Sequence, residues 1–89
     1  MPELTSIIAP FVFLLDDVVV TIYEVIPLTG VEGTKSYHVE LDLTWRGVRS
    51  RRFFLDARNF DELKKKLLVE IAKFKLFILL GKAKVVSGV

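Results

Sequence analysis

The chain has 89 residues, of which 52% are hydrophobic, and a formal net charge of +2. A chain of this length forms one domain with a modest core, so we expect a single domain over residues 1–89. It contains no cysteine and one histidine, His38, which excludes disulfides and the common zinc sites, and no cofactor is expected. Since small domains need an additional source of stability, the apolar composition predicts a homo-oligomer, a dimer or a tetramer.

No stretch reaches the roughly 20 apolar residues that a membrane helix needs, and the first residues lack the pattern of a secretory signal. We therefore expect a cytoplasmic protein without a membrane partner. The chain also has no glutamine and a single asparagine, Asn59, a composition that leans toward a thermophile.

Charge is distributed unevenly along the chain. Residues 1–34 have a balance of −5, residues 35–58 of +3 and residues 59–89 of +4. This segregation predicts a basic face that attracts an anionic partner such as nucleic acid.

Two strands are predicted at the beginning of the sheet. An apolar run over residues 11–15 stops at two aspartates, and residues 18–26 are rich in β-branched side chains and end at Pro27. A helix over residues 3–15 is the alternative, which Pro10 disfavours.

The clearest strand covers residues 37–45 and follows a loop with two glycines at 29–33. Apolar and polar side chains alternate along it, so the strand has one core face and one polar face. Arg46 and Gly47 then turn the chain, and residues 48–57 return as the last strand. The core face contains Tyr37, Val39, Leu41, Leu43 and Trp45.

The last hairpin has two alternative registers. A two-residue turn places Arg52 and Phe54 on the face of Trp45 and pairs Asp42 with Arg51. A three-residue turn with a bulge shifts the last strand by one residue. The residues beside Trp45 are then Arg49, Arg51 and Phe53.

A long helix over residues 60–80 follows the sheet. Asn59 and Glu62 have the spacing of an N-cap with its capping box, and Gly81 is the expected C-terminal stop. The predicted fold is therefore α+β, a small four-stranded antiparallel sheet (residues 11–58) packed on one long C-terminal α-helix. The apolar stripe that faces the sheet consists of Phe60, Leu63, Leu67, Ile71, Phe74 and Ile78.

The last turn of this helix is apolar on every side. One small sheet cannot cover all of it, so we predict an oligomer contact here; the alternative is that residues 83–89 fold back over the turn. The predicted contact consists of Leu76, Phe77, Ile78, Leu79 and Leu80.

Residues 44–54 combine four arginines with three large aromatic side chains. Stacking of a single-stranded base on an aromatic ring contributes about 1–3 kcal/mol, and neighbouring arginines neutralise phosphates. The pattern predicts sequence-nonspecific binding of single-stranded DNA, or of RNA. The candidate residues are Trp45, Arg46, Arg49, Arg51, Arg52, Phe53 and Phe54.

Two other classes of function compete with this prediction. Catalysis is disfavoured because the chain has one histidine, no cysteine and no glycine-rich phosphate loop. A structural or protein-interaction module is the stronger rival, since aromatic residues and arginine are also enriched at protein interfaces. The same strands would then mediate homo-oligomerisation or bind a protein partner.

The motif Trp45-Arg46-Gly47 through Arg51-Arg52-Phe53-Phe54, followed by a capped helix rich in lysine and leucine, resembles the ThermoDBP group of archaeal single-stranded DNA-binding proteins. The resemblance covers residues 37–80. It implies a small antiparallel sheet against a helix, a groove of aromatic residues flanked by basic ones, and assembly through the helices. It also implies that Trp45, Phe53 or Phe54 stack bases while Arg46, Arg49, Arg51 and Arg52 hold phosphates.

Overall fold

A computed structural model describes residues 10–88, with side chains described as far as Gly81. The antiparallel sheet has the order β1-β2-β3, and β4 and β5 both pair with the remaining side of β3. One helix packs on one face of this sheet, which confirms the predicted α+β fold. The elements are β1 (Phe11–Leu15), β2 (Val18–Thr29), β3 (Lys35–Trp45), β4 (Val48–Arg49), β5 (Phe53–Ala57) and α1 (Phe60–Gly88), with a 3-10 turn at Val31–Gly33 between β2 and β3.

The first hairpin turns at the two aspartates, as predicted. Asp16 and Asp17 have φ angles of 49° and 68°, a left-handed conformation that aspartate tolerates better than most residues. The turn pairs Leu15 with Val18 and makes β1 a strand. The alternative helix is therefore wrong over residues 11–15, and its first part, residues 3–9, lies outside the described residues.

Strand β2 does not end at Pro27 but continues to Thr29. Its pairing with β1 ends at Ile22, so within residues 10–88 the later part of β2 has β3 as its only neighbouring strand. A proline lacks an N–H group, and an edge segment tolerates it because no hydrogen bond is needed on the open side.

The last hairpin begins with the two-residue turn. Arg46 and Gly47 have φ angles of 51° and 77°, and Trp45 pairs with Val48 as that turn requires. The predicted pairing of Asp42 with Arg51 is wrong, however, because the register changes further along the strand.

A bulge over residues 50–52 changes this register. The backbone N–H of Ser50 donates to the Leu43 carbonyl at 2.7 Å, and the Ser50 hydroxyl accepts from the Leu43 N–H at 2.9 Å. Beyond the bulge Leu41 pairs with Phe53, which is the register shifted by one residue. The last strand is therefore divided into β4 and β5, and each of the two alternative registers holds for one of them.

The beginning of α1 is capped as predicted. Asn59 Oδ1 accepts a hydrogen bond from the Glu62 N–H at 2.8 Å. The helix does not end at Gly81 but continues to Gly88, so residues 83–88 do not fold back over the preceding turn, and Val89 lies outside the described residues. A single glycine costs a helix only about 1 kcal/mol, and no proline follows it. This helix has no stretch, within the described residues, that is apolar and long enough to cross a membrane.

The core lies between α1 and one face of the sheet. The predicted helix stripe points into it, and Ile78, which is 3% exposed, belongs to this core rather than to an oligomer contact. The other four residues of the predicted contact are exposed on the protomer. The opposite face of the sheet, which we call the open face, is covered by no other element of residues 10–88. The core contains Val18, Val20, Ile22, Val39, Leu41, Leu43, Trp45, Ala57, Leu63, Leu67, Ile71 and Ile78.

Candidate nucleic-acid interface

The sheet divides the seven candidate residues between its two sides. Side chains alternate along a strand, and the bulge changes which of them share a face. The open face receives Arg49, Arg52 and Phe54. The helix side receives Trp45, Arg51 and Phe53, and Arg46 lies in the turn above the Trp45 ring.

Trp45 is part of the core and is only 8% exposed. The Arg46 guanidinium carbon lies 4.4 Å from the ring centroid and the Lys75 ammonium nitrogen 5.2 Å from it. Because apolar packing and these two cations cover the ring, Trp45 offers no surface for a base. The assignment of Trp45 as a stacking residue is therefore wrong for this structure.

Arg49 is bound to a buried carboxylate on the open face. Asp42 is only 2% exposed, and its Oδ2 accepts hydrogen bonds from the Tyr23 hydroxyl at 2.5 Å and from Arg49 Nε at 2.9 Å. The bond to Asp42 raises the pKa of Arg49 above its usual range. The charge of Arg49 thus compensates Asp42 within the protein.

Arg52 and Phe54 are also engaged with neighbours. The Arg52 guanidinium carbon lies 3.6 Å from the centroid of the Tyr23 ring, and its Nη1 lies 3.9 Å from Glu40 Oε2. Phe54 is 48% exposed and stacks on His38, with 4.2 Å between centroids and 8° between planes. One face of the Phe54 ring is therefore already occupied.

The charge of the open face is unfavourable for phosphate. Two arginines face four carboxylates there, so a nucleic-acid backbone meets more negative than positive charge on this side. The carboxylates belong to Glu24, Glu40, Asp42 and Asp56, and the arginines are Arg49 and Arg52.

A groove lies on the other side of the sheet edge, between the bulge and α1. Its volume is about 300 Å³, and we call it the aromatic groove. Phe53 and Phe74 form its partly buried wall, and Phe77 is 70% exposed at its rim. Its lining consists of Leu43, Ser50, Arg51, Phe53, Glu70, Lys73, Phe74 and Phe77.

Basic side chains border the aromatic groove. Arg51 forms no ion pair with another described residue, and Lys73 lies 3.6 Å from Glu70, the one carboxylate in the lining. Lys66 lies two helical turns before Lys73 on the same flank and donates to the Asp56 carbonyl at 2.5 Å. Positive charge therefore exceeds negative charge along this edge, the reverse of the open face.

Sequence reasoning missed the contribution of the helix to this groove. The sequence predicts Phe74 in the core and Phe77 in an oligomer contact, and it places Lys73 on the polar side of the helix, opposite the apolar stripe. Lys73 and Phe77 are four residues apart and so share a flank, which was a usable signal. That this flank faces the bulge depends on how the helix docks on the sheet.

Comparison with known proteins identifies no family. No family model matches the chain, and neither a curated protein nor a solved structure is significantly similar to it. The resemblance to the ThermoDBP group therefore stays a prediction.

Proposed function

We propose that this protein binds single-stranded DNA or RNA without sequence preference in the aromatic groove. The observation that carries the proposal is an exposed ring, Phe77, in one groove with Arg51, a guanidinium that no described carboxylate neutralises. Bases stack on the phenylalanines of the groove, while Arg51 and Lys73 contact phosphates. A cytoplasmic location is part of this proposal.

The shape of the site favours a single strand over a duplex. The groove is a concave surface between a helix flank and a sheet edge, and phenylalanine rings line its wall. A ligand that stacks on these rings must present flat faces to them. Bases of a duplex are already stacked on each other, and duplex readers usually insert a helix or an arm into a DNA groove. Contacts to ring faces and phosphates leave the base edges unread, so little sequence preference follows.

Salt must weaken the complex. Each phosphate contact of a single strand contributes about −0.7 to the slope of log K against log salt. Arg51, Lys66 and Lys73 lie along this edge, so three contacts give a slope of about −2.

The first test compares two neighbouring arginines that lie on opposite sides of the sheet. Arg51→Ala is expected to weaken binding of a labelled oligo-dT and to reduce the salt slope by about 0.7, because one phosphate contact is lost. Arg52→Ala removes the same charge from the open face and is expected to leave both values unchanged. Fluorescence anisotropy over a salt series measures them.

The second test compares two exposed phenylalanines. Phe77→Ala is expected to reduce affinity by about 5- to 150-fold, which corresponds to the 1–3 kcal/mol of one stacked base. Phe54→Ala, on the open face, is the matched control, and thermal melting checks that both variants fold.

If Phe54→Ala and Arg52→Ala weaken binding while the groove variants do not, the site lies on the open face. If the chain binds neither oligo-dT nor single-stranded RNA at low salt, the proposed function is wrong. A protein-interaction module is then the remaining hypothesis for these strands.

A further inference from the structure

The outer edge of β1 has no strand beside it among residues 10–88. Within residues 10–88 this strand pairs only with β2, and its sequence, Phe-Val-Phe-Leu-Leu, contains no charged residue and no proline. Natural edge strands usually carry such residues to prevent pairing with another chain. Phe11 and Val12 are exposed and Leu14 is 70% exposed, so in the described part of the chain the edge offers both unpaired backbone groups and apolar side chains.

The flank of α1 that faces β1 is apolar as well. Lys75 Nζ lies 3.4 Å from Asp16 Oδ2 in the β1–β2 turn, which identifies this flank. Leu68 and Ala72 precede Lys75 by seven and three residues, and Leu79 follows it by four. At these spacings all three share its side of the helix. All three are exposed.

We propose that two copies of this chain join through β1, which pairs antiparallel with β1 of the second copy across a two-fold axis. The two sheets become one continuous sheet, and the apolar helix flanks are enclosed beneath the junction. This surface, the β1 edge surface, consists of Phe11, Leu68, Ala72 and Leu79 on the helix side of the sheet and of Val12 and Leu14 on the open face.

A second copy fits this edge because the strand is complementary to itself. With the axis at Phe13, Val12 lies opposite Leu14 of the other copy and Phe11 lies opposite Leu15, so each face of the joined sheet stays apolar. No like charges oppose each other within the strands. The two aspartate turns lie at opposite ends of the junction, separated by about five residues of strand, or roughly 17 Å.

The proposal changes the predicted oligomer contact. Of the exposed residues in the last apolar turn, Leu79 lies on the flank that faces β1, whereas Phe77 lies on the opposite flank and lines the aromatic groove. The groove is at the β5 edge, the far end of the sheet from β1. Dimerisation therefore leaves both grooves open, and the two proposals fail independently.

The decisive measurement is the mass of the full chain in solution by sedimentation equilibrium. The wild-type protein is expected to be a dimer, and the double variant Val12→Lys/Leu14→Lys a folded monomer. Both side chains are exposed on the open face of the protomer, and in the joined sheet each new lysine would lie opposite a lysine of the second copy and repel it. Val31→Lys also replaces an exposed apolar side chain by lysine, but in the loop after β2, where Val31 is 85% exposed. It is the control and is expected to keep the dimer.

Cross-linking tests the geometry directly. The chain has no cysteine, so any disulfide in Val12→Cys/Leu14→Cys forms between the introduced residues. A disulfide that joins two copies is expected, because position 12 of one copy lies opposite position 14 of the other. Val31→Cys is expected to stay uncross-linked under the same mild oxidation.

Three results overturn the proposal. A wild-type monomer means that this edge does not pair between copies. Residues 1–9 would then be tested as the segment that covers it. A dimer that persists in Val12→Lys/Leu14→Lys, or that dissociates only in Leu76→Glu, means that the helices alone form the contact. Oligo-dT binding is measured in parallel. A loss of binding in every variant would contradict the proposed function of the aromatic groove and would leave the proposed pairing of β1 unaffected.

Discussion

Arg51 and Arg52 follow each other in the chain and carry the same guanidinium group, but their surroundings differ. Arg52 lies over the Tyr23 ring and near Glu40, whereas Arg51 borders the aromatic groove without a described ion-pair partner. A phosphate that binds Arg52 must compete with contacts that already exist, while Arg51 gives up only water. Arg51 is therefore the better phosphate ligand of the two.

Tyr23 is expected to be a stabilising residue of the open face. Its hydroxyl donates to Asp42, a nearly buried carboxylate whose Oδ1 already lacks a partner among the described residues. Tyr23→Phe should lower the free energy of unfolding by about 1.5–3 kcal/mol, the usual contribution of a hydrogen bond to a charged group.

The urea midpoint of unfolding measures this loss. Tyr37→Phe is the control, because no side-chain hydrogen bond of the Tyr37 hydroxyl occurs among residues 10–81. Equal midpoints for the two variants would show that the bond to Asp42 contributes nothing net.

At the scale of elements, the bulge decides which surface each residue of the last strand serves. Without it, Phe54 would face the helix and Phe53 the open side. The Ser50 hydroxyl replaces a backbone acceptor for Leu43, which lets residues 50–52 leave the regular ladder. One side-chain hydrogen bond across the hairpin thus helps to decide which residues of the last strand face the aromatic groove and which lie on the open face.

The helix N-terminus is expected to make stability depend on pH. The backbone N–H of Arg58 donates to Glu62 Oε1 at 2.9 Å, and this bond holds the pKa of Glu62 below its ordinary value of 4.5. Since the folded-state pKa is depressed, the carboxylate adds stability above pH 4.5, and this contribution is lost as the pH falls through the lower folded-state value.

Glu62→Gln should therefore reduce the loss of thermal stability between neutral pH and acid. Melting temperatures across this range measure the effect. Glu70→Gln removes a carboxylate that pairs with Lys73 but accepts no backbone hydrogen bond from a described residue, so it serves as the control. An unchanged pH dependence in Glu62→Gln would contradict the role of the bond from Arg58.

The whole molecule is elongated, with principal extents of 52 × 24 × 17 Å. Its sheet has one covered face, one open face and two different edges, since β1 is apolar while the β4–β5 edge is aromatic and basic. Negative charge concentrates on the open face and positive charge beside the aromatic groove. The two proposed contacts therefore lie at opposite ends of the sheet.

The fluorescence of Trp45 is expected to report unfolding and not binding. Its ring is enclosed between the sheet and α1, so saturation with oligo-dT should leave the emission unchanged, whereas urea should shift it to the red. Phe77→Trp places a second indole at the rim of the groove as the positive control, and its emission should fall on binding. Salt-dependent quenching of the wild-type protein by oligo-dT would contradict the enclosed position of Trp45.

The sequence alone determined the fold class, the helix cap and the core stripe of α1. It also determined the alternating strand over residues 37–45 and the first hairpin at Asp16 and Asp17. These features follow from local rules: a two-residue period for a strand, a 3.6-residue period for a helix, and side chains that bond to the nearest backbone groups. Each can be recognised within a short window of the chain.

Only the tertiary structure decided the site. The bulge depends on a bond between Ser50 and Leu43, and the enclosure of Trp45 depends on Lys75, which lies thirty residues later in the chain. The same holds for Ile78, whose burial depends on where the helix crosses the sheet, and for the flank of α1 that faces the bulge. Contacts between different parts of the fold fix all of these, and no local period in the sequence encodes them.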